Sequence, residues 1–253
     1  MKKLITMIMA LTLSLSLFAC GSSNEEAAPS DDNKLYMGTE AGFAPYEYVS
    51  GDTVVGVDVD IANAIAESLG KELVIKNMDF DGALNAVQKD QVDFVAAAVS
   101  VTEERLKVMD FSDNYVDSNI VAVVKKGSET VKSVEDINGK IIGVQQGNTA
   151  GNFAEETYTD SDIKLYTKFV QAAEDLKNNK IDVIIMDNLP AIDLVEANPE
   201  LAILNQDAPL SQEQYAIAVK KGNTELLEAI NACIAKLQEE GKIEEFLANH
   251  TAK

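Results

Sequence analysis

Phe94-Val95-Ala96-Ala97-Ala98-Val99 is an uninterrupted apolar run, opened by Asp93 and closed by Ser100. A strand that is apolar on both faces is stable only where both faces are covered, as in a parallel strand inside an α/β sheet. A helix pattern and a polar turn precede it at 84–93, and the same order returns at 172–184. In both places an aliphatic-Asp-aliphatic step opens the apolar run, Val92-Asp93-Phe94 in one and Ile181-Asp182-Val183 in the other. The first run ends near Ser100 and the second near Asp187. Two such units imply two lobes, unless two helix-turn-strand units are alike by chance. Ligands of open parallel sheets bind beyond the carboxyl ends of the strands, so Ser100 and Asp187 are expected to face one cleft from opposite sides.

Further strand patterns lie at 34–37, 73–75, 120–124 and 140–144. Helix patterns lie at 61–69, with Asp60 as N-cap and Gly70 as stop, and at 82–89. This alternation argues for α/β architecture with parallel sheets. After 140–144 the chain breaks at Gly147 and a helix pattern runs on to Glu156. A helix start of this kind offers free backbone N–H groups to an anion, and the lack of Gly-Lys-Ser/Thr excludes a Walker loop.

Arg105 is the single arginine, in Ser100-Val101-Thr102-Glu103-Glu104-Arg105. Thr102 reads as a helix N-cap, which puts Arg105 in the first turn, where a cation opposes the helix dipole by a few tenths of a kcal/mol. Arginine is also the side chain that grips a carboxylate with two parallel hydrogen bonds. Two readings stand on this segment alone, an anion receptor and a surface arginine paired with Glu103 or Glu104.

Lys2 and Lys3 precede an apolar stretch over 4–18 that is too short to span a bilayer and has signal-peptide length. It runs into Leu17-Phe18-Ala19-Cys20-Gly21, which resembles a bacterial lipobox, with Phe18 where a small residue is usual. The resemblance implies cleavage after residues 1–19 and a lipid on Cys20; a plain secretory signal is the alternative. Residues 20–32 then hold the lipidated Cys20 and a polar, acidic tether. Loss of residues 1–19 removes Lys2 and Lys3 and no acids, leaving 19 basic against 42 acidic side chains, a net −23. Such a surface argues against nucleic acid and against charge-driven docking on anionic lipid. Cys233, in a helical stretch at 225–237, reads as a small buried hydrophobe, and no Cys/His metal spacing is present. Asp58 and Asp60 lack the glycine spacing of a calcium loop and read as capping or loop residues.

Taken in order, several segments carry a resemblance: 38–48, Gly56-Val57-Asp58-Val59-Asp60, Ser100 to Arg105 with Asp110-Phe111-Ser112, Gln146-Gly147-Asn148-Thr149, and Met186-Asp187. Over residues 33–253 the chain is similar to the family 3 extracellular solute-binding proteins of polar amino acid ABC transporters. Val57 stands where that family usually has Phe. The resemblance implies a type II periplasmic-binding-protein fold, with a ligand cleft between two lobes joined by two hinge strands. One lobe is expected from 33–114 and 216–253 and the other from 120–210, with crossings at 115–119 and 211–215.

It also implies roles for particular residues. Arg105 clamps the α-carboxylate of an amino acid with the N–H groups of Ser100 and Thr149, one from each lobe. Asp187 pairs with the α-ammonium, helped by the Ser100 hydroxyl and the Ala98 carbonyl. Glu40, Phe43, Phe80, Gln145 and Met186 read the ligand side chain, and the acid at Glu40 favours Arg, Lys or His, with Gln close behind. A zwitterion buried between lobes needs both charges matched, because an unpaired buried charge costs several kcal/mol.

The expected protein is a monomeric lipoprotein on the extracellular face of the cell membrane, of Gram-positive type. It needs no cofactor or metal and hands its ligand to a separate permease with its ATPase. A sensor lipoprotein and, less favoured, a dehydratase-like enzyme on the same fold are the alternatives. Against an enzyme, the only histidine is His250, three residues from the C-terminal Lys253, and no nucleophile–base pair is evident.

Overall fold

The computed structural model describes residues 33–204 and 206–251; the segments read as signal peptide, Cys20 and tether lie outside them. β1 (Lys34–Thr39) leads through a small antiparallel sheet of β2 (Gly42–Phe43), β3 (Glu47–Ser50) and β4 (Thr53–Val55) into α1 (Val57–Ser68). α1 begins at Val57, not at Ile61 as its apolar spacing predicts. Gly56 is the N-cap, at φ 135°, and a Cβ there would meet the Tyr46 carbonyl oxygen at 2.1 Å. Asp60 is therefore not the cap. It lies in the first turn, where its charge suits the helix dipole, with Oδ2 2.9 Å from His250 Nε2.

The first lobe continues with β5 (Glu72–Asn77), α2 (Phe80–Gln88), β6 (Phe94–Ser100), α3 (Glu103–Leu106) and β7 (Met109–Phe111). β8 (Val116–Lys125) then crosses to the second lobe, built from β9 (Ile141–Gln145), α4 (Thr149–Thr157), β10 (Asp162–Tyr166), α5 (Phe169–Lys177), β11 (Val183–Asp187), α6 (Asn188–Ala197) and β12 (Leu201–Ile203). β13 (Ser211–Lys220) returns, followed by α7 (Thr224–Glu239) and α8 (Lys242–Thr251).

The main sheet has the order β10-β9-β11-β8-β13-β6-β1-β5. Its centre is the antiparallel pair of β8 and β13, with Ser211 opposite Ile120 and Tyr215 opposite Val116. β8 then goes on to pair with β11, and β13 goes on to pair with β6. The lobes are thus joined by two adjacent strands, and the whole is a two-lobe periplasmic-binding-protein fold.

Every residue of β6 and of β11 is buried, as a strand covered on both faces requires. Val95, Ala97 and Val99 share a core with Ala83, Leu84 and Val87 of α2, while Phe94, Ala96 and Ala98 join α1 and α7 residues such as Ile61, Ile65 and Ile234. Each large aliphatic side chain buried in this way contributes about 1.5–3 kcal/mol.

The repeated unit keeps the same backbone turn and the same aspartate hydrogen bond in both lobes. Asp90 and Asn179 both adopt φ 56°, the left-handed conformation that Asn and Asp tolerate best among non-glycine residues. Asp93 Oδ2 accepts the Tyr36 N–H at 2.7 Å, and Asp182 Oδ2 accepts the Ile141 N–H at 3.0 Å. Each aspartate thereby hooks its strand to a parallel partner. Cys233 is buried in α7, and Glu239, Glu240, Glu244 and Glu245 are exposed.

Candidate functional site

β6 ends at Ser100, and Thr102 caps α3 by accepting the Arg105 N–H at 3.2 Å. That short helix aims the arginine back across the strand end. Its Nη1 donates to the Ser100 carbonyl at 2.5 Å and its Nη2 to the Gly147 carbonyl of the second lobe at 2.8 Å. The guanidinium lies 5.5 Å from the Phe80 ring centroid, within cation–π range. Among the described residues it forms no ion pair with Glu103 or Glu104, and its guanidinium is turned toward the facing lobe. Burial lowers its pKa, opposed by the charges of Glu213, Asp187 and Asp81.

Gly147 takes φ 80°, and a Cβ there would stand 3.3 Å from Asp81 Cβ, so the loop between β9 and α4 fits closely against α2 of the other lobe. Asn148 caps α4 through the Ala150 N–H at 2.9 Å. Thr149 opens the helix with its hydroxyl turned to the cleft. It donates to Glu213 Oε2 at 2.8 Å, and the Ser100 hydroxyl donates to the same oxygen at 2.6 Å. One carboxylate on the crossing strand β13 thus joins hydroxyls from both lobes.

Asp187 ends β11 and is 1% exposed. It stands at the N-cap of α6 yet makes no capping hydrogen bond. Instead the Ser118 hydroxyl donates to it at 3.4 Å, and the Tyr215 hydroxyl donates to Ser118 at 2.8 Å. Burial first, and then the Glu213 carboxylate, push its pKa up to about 7. Among the described residues no lysine, arginine or histidine forms an ion pair with it.

Ala98, one residue beyond the middle of β6, takes φ 48° and gives its N–H to Asp58 Oδ2 at 2.8 Å. Asp58 also accepts from the Tyr115 hydroxyl at 2.8 Å. Burial pushes Asp58 up to about 6 and the neighbouring Glu47 well above the ordinary carboxylate range. Asp58 and Asp60 therefore have separate structural partners, and no group of acids, cysteines or histidines among the described residues suits a metal ion. Asp110 and Ser112 are structural as well: Asp110 accepts the Gly222 N–H, and Ser112 Oγ accepts the Ile217 N–H.

At the other end of the cleft Glu40 is 2% exposed, and Gln145 Nε2 donates to its Oε2 at 3.1 Å across the lobes. Burial raises the Glu40 pKa. Phe43 stacks on Phe169 of α5 with centroids 6.0 Å apart. Phe80 lies under the Arg105 guanidinium. Met186 is buried in the core shared by Phe43 and Phe169.

The structure therefore gathers Ser100, Arg105, Thr149 and Asp187 at one end and Glu40, Phe43, Gln145 and Met186 at the other. Sequence reasoning missed Glu213, Lys168 and Phe169. For Glu213 the available signal was an acid inside an expected crossing segment. His250 bridges Asp60 and Tyr48, at 2.9 Å and 3.1 Å, and ties α8 to the first lobe. Among the described residues no helix is long and apolar enough to cross a membrane.

Comparison with known proteins points the same way. The family model described as bacterial extracellular solute-binding proteins, family 3, matches residues 35–253. The arginine-binding extracellular protein ArtP of Bacillus subtilis (strain 168) is 33% identical over 249 residues, covering 97% of this chain and 96% of that protein. Among solved structures, the amino acid ABC transporter substrate-binding protein AbpA of Streptococcus pneumoniae bound to L-arginine superposes with a TM-score of 0.82 at 35% identity, covering 87% of this chain and 95% of that one. An ancestral arginine-binding protein bound to glutamine gives 0.81 at 37% identity, covering 87% and 99%.

Proposed function

The chain belongs to the bacterial extracellular solute-binding proteins, family 3, and from that premise we propose that it captures a basic amino acid or glutamine between its lobes and delivers it to an ABC transporter. The observation that carries this reading is the charge layout of the cleft. A guanidinium lies at one strand end, and a buried carboxylate that forms no ion pair among the described residues lies at the other. An amino acid supplies the missing partners together, its α-carboxylate to Arg105 and the N–H groups of Ser100 and Thr149, its α-ammonium to Asp187 and the Ala98 carbonyl. The ligand side chain then extends toward Glu40, Phe43, Phe80, Gln145 and Met186.

Residues 33–114 and 216–253 make one lobe and 120–210 the other, and hinge motion at the paired crossing strands opens the cleft. The protein acts as a monomer, held to the extracellular face of the membrane by lipid on Cys20. Its permease and ATPase are separate chains.

A thermal-shift screen of residues 24–253, stripped of ligand by unfolding and refolding, tests the reading. Arginine, lysine, histidine or glutamine should raise Tm by several degrees, and no response to any amino acid would overturn it. Glu40→Gln should weaken arginine and lysine binding more than glutamine binding. Equal losses for all would remove Glu40 from side-chain recognition.

A further inference from the structure

Glu40 is only half satisfied. Gln145 serves its Oε2, while Oε1 is buried without a hydrogen-bond partner. Among the described residues the cation paired with that oxygen is Lys168 of the second lobe, with Nζ 3.4 Å away. Lys168 is the N-cap residue of α5, an end where a cation opposes the helix dipole. It precedes Phe169, the ring that stacks on Phe43. Its side chain is 42% exposed, against 2% for Glu40, so it can leave for water while the acid cannot. Asp79 also acts on Glu40 and raises the same pKa that Lys168 lowers, and Glu40 in turn raises that of the buried Glu47.

We propose that Lys168 is a specificity-determining residue, a resident cation that competes with the ligand side chain for Glu40 and so narrows the preference of the cleft for basic over amide side chains. This rests on the amino acid-binding reading above. A guanidinium or ammonium arriving at Glu40 meets a like charge and must displace it into solvent. A neutral amide can donate to the vacant Oε1 lone pair and leave the Glu40–Lys168 pair standing. With Lys168 present, the side-chain end carries one acid and one base within 3.4 Å and is close to neutral. Without it, the same end is an unopposed anion. Gln145 contributes a dipole but no charge, so it cannot take over this role.

Isothermal titration of residues 24–253 with arginine, lysine and glutamine tests the inference, using the wild type, Lys168→Met and Lys168→Arg. Lys168→Met should strengthen arginine and lysine relative to glutamine by about two- to fivefold, the scale of one half-exposed ion pair. Lys168→Arg keeps the charge and should keep the wild-type ratio. In a Glu40→Gln background the Lys168→Met effect should vanish. An unchanged arginine-to-glutamine ratio in a Lys168→Met protein that still binds both would overturn the inference and leave amino acid binding intact. Equal weakening of all ligands would also overturn it, by showing that Lys168 only braces α5. If the refolded wild type binds no amino acid, both readings fall together, and that outcome is recognisable because no variant binds either.

Discussion

β6 leaves its sheet at Ser100, turns through Val101 and Thr102, and enters a four-residue helix that carries Arg105. β11 runs at Asp187 straight into α6. Up to those ends the two units are built alike, with a left-handed residue at the same turn position, the same strand-hooking aspartate and the same complete burial. The repeated part provides a rigid floor in each lobe, and the unrepeated ends place opposite charges over it. An aspartate at an N-cap ordinarily bonds the helix N–H groups, which stabilises a helix by about 0.5–2 kcal/mol. Asp187 makes no such bond and faces Ser118 and the cleft. The second lobe forgoes a cap, and its carboxylate stays buried at the strand end.

The largest effects should come from breaking those two ends. Asp187→Asn should weaken amino acid binding by about 3–5 kcal/mol, because the α-ammonium would be buried without a counter-charge. Arg105→Lys keeps the charge but loses the fork, and should cost about 2–4 kcal/mol. Titration calorimetry ranks them. A smaller loss for Asp187→Asn than for Arg105→Lys would mean that the carboxylate end of the ligand dominates binding, and near-wild-type affinity for either variant would remove that residue from the site.

The repeated half makes a different prediction. Asp93→Ala and Asp182→Ala each leave a strand N–H without its acceptor, and each should lower unfolding free energy by about 1–3 kcal/mol. Urea melts should show similar losses for the pair, and ligand preference should not move. A large loss for one and none for the other would show that the two turns are alike in sequence but not in energetic weight.

Why the floor was legible and part of the site was not follows from where each signal resides. β6, the α3 cap and the Gly147 turn are written in adjacent residues: an apolar run, a Thr three before Arg105, a glycine between strand and helix. The start of α1 is not, because the need for Gly56 comes from the Tyr46 carbonyl ten residues earlier in the chain. Lys168 and Phe169 read locally as the edge of a surface helix, and only contact between the lobes sets them on Glu40 and Phe43. Glu213 lies between Gln212 and Gln214 in the polar first four residues of β13, so no hydrophobic periodicity marks its direction.

Acidity separates the two strand ends by a smaller effect. Burial holds Asp187 at about 7 and Asp58 at about 6, both above their unfolded values near 3.9. Between those limits the folded, ligand-free protein binds more protons than the unfolded chain. Its stability should therefore rise as pH falls from 8 to 6, and be lost again as pH climbs back through about 7. Asp187 alone contributes about 1.4 kcal/mol over that span, and Asp187→Asn should remove that share. Ligand affinity should run the other way, because the α-ammonium needs the ionised carboxylate. It should weaken by about tenfold from pH 8 to 6, with proton release on binding that appears in calorimetry as a dependence on buffer ionisation enthalpy. Arg105 keeps its charge throughout this range and cannot produce either slope. Affinity that stays flat from pH 8 to 6 would place the ligand ammonium away from Asp187 while leaving the carboxylate clamp untouched.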